Sequence, residues 1–350
     1  MSNKGLRTFI LTLTAAALTL TACSPAVGQN EAQTKEEKKQ EKKEEKKEAM
    51  AQGTPVFWRE PTDISSRNLL LGPGGEEMKP DLKQVIWEES MQEGYSVKWR
   101  VRDGSGKHWV AKLGNEAQPE TVATRLVWAA GYPTEVNYLV PCVQIANAPK
   151  PPSNKSVKRC EGKGFANVRF EARPDNYRRL DMWSWNNNPF KGTKEFAGFV
   201  VLMGLLNNWD LKDENNKVVY VPADGGGGEL RYIVSDLGAT FGKTGNFITH
   251  SRNEPEKYVK TGFVDKVENG FVRFDYSGKN GGLFDAVTVE QARWIGDLLA
   301  QLSEEQIKDA FRAANYKPED IEALAQEVSG RINALHSLPA PAAASSTPTP

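Results

Sequence analysis

The stretch WDLKDENN at residues 209–216, followed by SDLG at 235–238, sets the question this sequence poses. It places Asp210, Lys212 and Asn215 at i, i+2 and i+5, then a second aspartate, Asp236, two residues ahead of a glycine. Each residue alone is ordinary turn chemistry, since Asp and Asn readily bond nearby backbone in loops. Together they offer hard oxygen ligands for Mg²⁺, a carboxylate to receive a hydroxyl's hydrogen and a cation to face a phosphoryl group. Which description holds depends on the elements that surround them.

Upstream, residues 84–113 read as β structure. QVIWEES, SVKWRVRD and HWVAKLG alternate or run apolar and β-branched, and predict a three-stranded antiparallel meander. MQEGY joins the first pair and DGSG the second. QPETVATRLVWAAGYP predicts a helix, with Val122, Leu126 and Ala129 or Ala130 at helical spacing, a stop at Gly131 and Pro133 beyond it. VNYLVPCV and ANVRFEAR predict two further strands. The pattern then changes period. Thr193 is placed to cap a helix over KEFAGFVVLMGLLNNW, with Phe196, Phe199, Val200, Met203 and Leu206 as its core face. KVVYV and LRYIVSD read as strands on either side of a loose ADGGGG, and residues 288–335 give two or three amphipathic helices. Strands first and helices later predict an α+β fold with two lobes.

In that order the parts resemble the protein-kinase-like fold, across most of residues 84–300. NWDLKDEN is similar to the kinase catalytic loop H-R-D-L-x-x-x-N, SDLG to the D-F-G turn and VAKLG to the strand-borne V-A-I-K. The style of WVAKLG…PETVATRLVWAAGYP is closer to the atypical HipA-type and phosphatidylinositol-kinase-type branches. The resemblance implies a phosphotransferase using ATP and Mg²⁺, in which the protein mainly positions the nucleotide and neutralises charge. It implies that Lys112 reaches the α- and β-phosphates and that Glu120 pins that lysine. It further implies that Asp236 holds the bridging Mg²⁺ and that Asn215 holds a second ion or shares the first. Asp210 would orient the attacking hydroxyl, and Lys212 would face the transferring phosphoryl group. Two departures stand out: the loop SMQEGYS has one glycine, Gly94, and Trp209 occupies the position where kinases carry arginine. The plainer readings are a strand-end surface lysine at Lys112, a helix-terminus acid at Glu120 and loop turns elsewhere. Gly225–Gly228 reads as a flexible insertion and LLLGPGGEE as a turn.

The ends of the chain carry other information. Residues 1–22 pair a short basic start with an apolar run and read as a signal peptide. LTAC at 20–23 resembles a bacterial lipobox, which implies a lipid on Cys23; a plain cleavage after Ala22 is the alternative. By resemblance to Gram-negative lipoproteins, Ser24 after that cysteine favours the outer membrane. Residues 23–53 then form an anchor and a Lys/Glu tether with no apolar face, and 337–350 a disordered tail. Between them the sequence divides into a β-rich 54–175 and a helical 176–336. A formal net charge of +0 gives no reason to expect nucleic acid. Beyond Cys23 only Cys142 and Cys160 remain, which an oxidising envelope would allow to pair around NAPKPPSNKS, two free thiols being the alternative. A catalytically inactive binding module, with Trp183, Trp185 and Phe190 as its contact surface, and a nucleotidylyl transferase are the competing functions, alongside a purely structural envelope lipoprotein.

Overall fold

The computed structural model describes residues 26–91, 94–245 and 249–339. The expected signal peptide, Cys23 with its lipid, and residues 340–350 of the expected tail lie outside the described residues. The Lys/Glu run is helical in α1 (Ala26–Gln52); its residues 39–45 are all exposed, and Gln40 donates to Glu44 at 2.9 Å. No helix among the described residues is long and apolar enough to cross a membrane.

From Ala49 onward the chain forms one compact unit. It begins with a short strand, β1 (Gly53–Val56), and then builds the expected meander from β2 (Ile86–Met91), β3 (Val97–Arg102) and β4 (His108–Leu113). The β3–β4 turn is fastened by Asp103. Its carboxylate accepts from Ser105 N, Lys107 N and Trp109 Nε1, each at 2.9 Å. Helix α2 (Ala117–Ala129) follows, then β5 (Asn137–Val143) and β6 (Phe165–Ala172). The five strands lie in the order β2-β3-β4-β6-β5, and every neighbouring pair is antiparallel. Period-two alternation buries Trp99, Val101, Trp109, Ala111 and Phe170 in a core of their own. Cys142 and Cys160 are joined in a disulfide, as the pairing alternative expected.

The remaining chain is mostly helical around a second sheet. β7 (Arg178–Arg179), α3 (Lys194–Leu205), β8 (Asn216–Pro222) and β9 (Gly228–Val234) are followed by a one-turn α4 (Pro255–Tyr258) and a hairpin, β10 (Val264–Glu268) and β11 (Phe271–Phe274). α5 (Val289–Leu299), α6 (Glu304–Ala313) and α7 (Pro318–His336) complete the chain. The second sheet has the order β1-β9-β8-β7, with β1 parallel to β9. Thr193 caps α3 as its position predicted, its hydroxyl accepting from Phe196 N at 3.1 Å. Asn269 and Gly270 turn the β10–β11 hairpin with φ of 53° and 82°, the left-handed conformation that such turns need. Gly225, Gly226 and Gly227 likewise have positive φ and form the β8–β9 turn. The architecture is therefore α+β, with an antiparallel sheet lobe and a helical C-terminal region.

The aromatic loop before α3 belongs to the larger core. Trp183 and Trp185 are buried, Trp185 stacks on Phe199 with ring centres 5.7 Å apart, and Phe190 stacks on Phe57 at 4.8 Å. Two buried arginines tie distant segments. Arg125 on α2 donates to Leu69 O, Thr121 O and Asn137 Oδ1 at 2.8, 2.9 and 3.1 Å. Arg331 on α7 donates to Leu205 O, Asn207 Oδ1 and Thr261 Oγ1 at 3.0, 2.9 and 2.7 Å.

Candidate active site

Lys112 lies at the end of β4, and its side chain is 2 % exposed. Its Nζ is 2.6 Å from Glu120 Oε2, 3.0 Å from Asp236 Oδ1 and 3.4 Å from Glu116 Oε2. Glu120 sits in the first turn of α2, so the helix that follows β4 brings its acid back over the strand end. Eight residues of separation suffice because the connection between strand and helix is so short. A buried ion pair forms only where both charges find further partners. Here Glu120 also meets Arg169 on β6 at 3.4 Å and accepts from Leu237 N at 3.4 Å.

Asp236 stands at the opposite wall. Its second oxygen is 3.5 Å from Lys98 on β3, the direct cross-strand partner of Lys112. Like charges facing each other across a ladder repel, and the Asp236 carboxylate between them offsets this. Gly238 N donates back to Asp236 Oδ1 at 3.2 Å. A side chain at 238 is excluded by space, because a Cβ there would come within 2.6 Å of Glu116 Cβ. That close approach is the physical reason for glycine in SDLG.

Asn215 joins the two loops. Its carbonyl accepts from Ser235 N at 2.7 Å and from Asp236 N at 3.3 Å, while its Nδ2 donates to Asp210 O at 2.8 Å and to Asp210 Oδ2 at 3.3 Å. Asp210 Oδ2 pairs with Lys212 at 2.9 Å and Oδ1 with Lys279 at 3.1 Å. Trp209 stacks on His250 with ring centres 3.6 Å apart, and Arg252 lies over its ring at 4.8 Å. Arg252 also covers the Tyr95 ring at 4.2 Å and is ion-paired with Glu116.

These groups line one cleft of about 1180 Å³, whose walls include Gly94, Tyr95, Lys98, Lys112, Asp210, Lys212, Asn215, Asp236 and Lys279. Basic side chains outnumber acidic ones along it, although the whole chain is neutral. A second pocket of about 550 Å³, with Tyr177, Val219 and Ile233 in its wall, shares Met91, Val110, Arg173 and Arg179 with this cleft.

The electrostatics follow from the packing. Burial opposes the charge on Lys112, yet Asp236, Glu120 and Glu116 outweigh it and hold the ammonium above the ordinary lysine range. Burial also works against Asp236, but Lys112 and then Lys98 hold its carboxyl well below the usual carboxylate range. Asp210 is lowered in the same way, its burial overcome by Lys212 and Lys279. Glu120 is raised, because burial outweighs Arg169 and Lys112.

Asp236 and Asn215 supply hard oxygens, and with the amide nitrogen of Asn215 taken up by Asp210 its oxygen is the free acceptor. Among the described residues there is no cluster of three or more His, Cys, Asp or Glu suited to an all-protein metal cage. Mg²⁺ characteristically takes one or two protein oxygens and completes its shell with phosphates and water. The residues present fit an ion that arrives with a nucleotide.

All six residues singled out from the sequence, Lys112, Glu120, Asp210, Lys212, Asn215 and Asp236, thus meet in one constellation. Sequence reasoning missed Lys98, Glu116, Arg169, Arg252 and Lys279. Only Lys98 carried a usable signal: the DGSG turn fixes the β3–β4 register, which puts Lys98 opposite Lys112.

No family model matches this chain, and no curated protein matches it. Among solved structures it is similar to the Helicobacter pylori proinflammatory kinase CtkA, at 11% identity and a TM-score of 0.42, over 71% of this chain and 92% of that one. It is also similar to the Golgi casein kinase, at 9% identity and a TM-score of 0.38, over 79% and 77% of the two chains. The same kinase with Mn/ADP bound gives 9% identity and a TM-score of 0.38, over 74% and 73%. These likenesses are loose, and the chemistry of the site stands on its own geometry.

Proposed function

We propose that this chain is a phosphotransferase that uses ATP with Mg²⁺ to phosphorylate a hydroxyl acceptor, held at the bacterial cell envelope by a lipid on Cys23. The observation that supports this most is the buried Lys112, shared by Glu120 on α2 and Asp236 beyond β9, with Asn215 bonding both Asp210 and the Asp236 backbone. Lys112 binds three carboxylates, so Asp236 can turn to a metal and leave Lys112 paired with Glu120 and Glu116.

In this reading Lys112 binds the α- and β-phosphates, oriented by Glu120, and the adjoining pocket with Val110, Val219 and Ile233 encloses the base. Asp236 and Asn215 would hold Mg²⁺, which supplies charge neutralisation and orientation of the phosphates when bound. Asp210, held ionised by its lysines, accepts the hydrogen bond of the acceptor hydroxyl and aims its oxygen in line. Lys212 faces the transferred group. The excess of basic over acidic side chains in the cleft suits a polyanionic nucleotide.

The test is an equilibrium titration of the purified protein with Mg-ATP, followed by transfer assays with γ- and α-labelled nucleotide. Transfer of the γ-label is expected, and Asp236→Ala is expected to abolish metal-dependent binding. Unaltered Mg-ATP affinity in that variant counts against the reading, and transfer of the α-label instead would make the chain a nucleotidylyl transferase.

A further inference from the structure

We infer that Lys279 is a second catalytic cation of the transfer, delivered by a strap, residues 276–280, that the chain folds against the catalytic loop; the inference rests on the transferase reading above. The strap is bonded to that loop at three carbonyls. Tyr276 Oη donates to Asn208 O at 2.7 Å, Lys279 N to Trp209 O at 2.8 Å and Asn280 Nδ2 to Leu211 O at 2.6 Å. Gly278 lets the two segments approach, since a Cβ there would lie 2.7 Å from Trp209 Cα and 2.4 Å from Tyr276 Oη. Asn280 takes the left-handed conformation, φ 54°, that turns the chain back.

The outcome is one carboxylate with a lysine on each oxygen: Lys212 at 2.9 Å on Oδ2 and Lys279 at 3.1 Å on Oδ1 of Asp210. Lys279 is the exposed member of this pair and Asp210 the largely buried one, so the strap holds a cation at the mouth of the cleft and not within the core. Lys279 is 57% exposed at its side chain, and it lines the cleft that also holds Lys112 and Asp236, so its amine is free to swing inward.

In the transfer step a bond forms from the acceptor oxygen to the γ-phosphorus, and the bond from that phosphorus to the β,γ-bridging oxygen breaks. The electron pair leaves with the nucleoside diphosphate, and the hydroxyl proton passes to Asp210. As the acceptor hydroxyl takes its place on Asp210, Lys279 moves to the equatorial phosphoryl oxygens beside Lys212. Two ammonium groups then face the charge that spreads over those oxygens.

A transition-state mimic tests this without any known acceptor. The full chain is titrated with Mg-ADP, alone and with aluminium fluoride, and the tightening produced by the fluoride is read, since such mimics bind through contacts made in the transition state. Lys279→Met is expected to reduce the tightening by about 10²-fold while Mg-ADP affinity stays unchanged. Lys279→Arg is expected to restore most of it, and Tyr276→Phe, which frees one end of the strap, to give a smaller loss in the same direction. Undiminished tightening in Lys279→Met overturns the role of Lys279 alone. So does an equal loss of Mg-ADP affinity, which would make Lys279 a ground-state nucleotide ligand. A wild-type chain that does not bind Mg-ADP overturns the transferase reading itself, and this inference with it.

Discussion

Arg125 and Lys112 are both buried cations in the first half of the compact unit, and they are held in opposite ways. Arg125 is surrounded by neutral oxygens, four of them backbone carbonyls, and burial draws its guanidinium down to about 10. Lys112 is surrounded by three carboxylates that hold its ammonium up. A cation fastened to neutral oxygens has its donors satisfied but its charge uncompensated, and it fixes the loop at Leu69 to α2 and β5. A cation shared among three carboxylates, each with a second cation in Arg169, Arg252 or Lys98, leaves those carboxylates able to exchange one partner for a metal ion. The first arrangement holds a fold, and the second prepares a site.

The largest expected effects separate the two directly. Lys112→Met should lower phosphoryl transfer by about 10³-fold, measured as label transferred per unit of folded protein. Arg125→Met should leave transfer by the folded fraction intact and lower unfolding free energy by about 3 kcal/mol, read from urea melts. Equal damage to both properties in both variants would erase the distinction. The disulfide offers an uncharged tie for reference: Cys142→Ser with Cys160→Ser should cost about 3 kcal/mol of stability and leave Mg-ATP affinity unchanged.

Acidity sharpens the contrast further. Asp236, with its folded pKa depressed, contributes stability that is present above the unfolded value of about 4 and lost as pH falls below it. Glu120, raised, has the opposite sign: its carboxylate costs stability at neutral pH, and this is recovered as pH falls. Without the ammonium of Lys112 both carboxyls hold protons more tightly in the folded state. Lys112→Met should therefore gain about 1 kcal/mol between roughly pH 7 and pH 5, whereas Arg125→Met should follow the wild type. The smallest effect sets the scale for purely local structure. Thr193→Ala should remove about 1 kcal/mol through the lost cap of α3, with no change in nucleotide binding.

The two kinds of cation also differ in how far the sequence revealed them. Lys112, Glu120, Asp210, Lys212, Asn215 and Asp236 were legible because each occupies a strand end, a first helical turn or a loop at fixed spacing, where local chemistry limits what the side chain can face. Arg125 was hidden inside a helical pattern, and nothing local announces that its partners lie at Leu69 and Asn137. Arg252 and Lys279 reach the site only through tertiary folding, from segments without periodicity. The aromatic run at 183–190 was open to two readings because an irregular loop has no period to show which face is inside. The β10–β11 hairpin carried a clear Asn-Gly signal that the strand count from sequence passed over.

The β8–β9 hairpin answers why Asn215 and Asp236 can be twenty-one positions apart and still touch. Asn216 is registered with Val234 and Pro222 with Gly228, so the site sits at the hairpin's open end and the glycine turn at its far tip. Proximity is set by ladder register and is independent of how much chain the tip contains. The tip at 223–227 is accordingly a port where a fluorescent reporter or an affinity handle can be spliced in, reading out the candidate site from a distance without disturbing it.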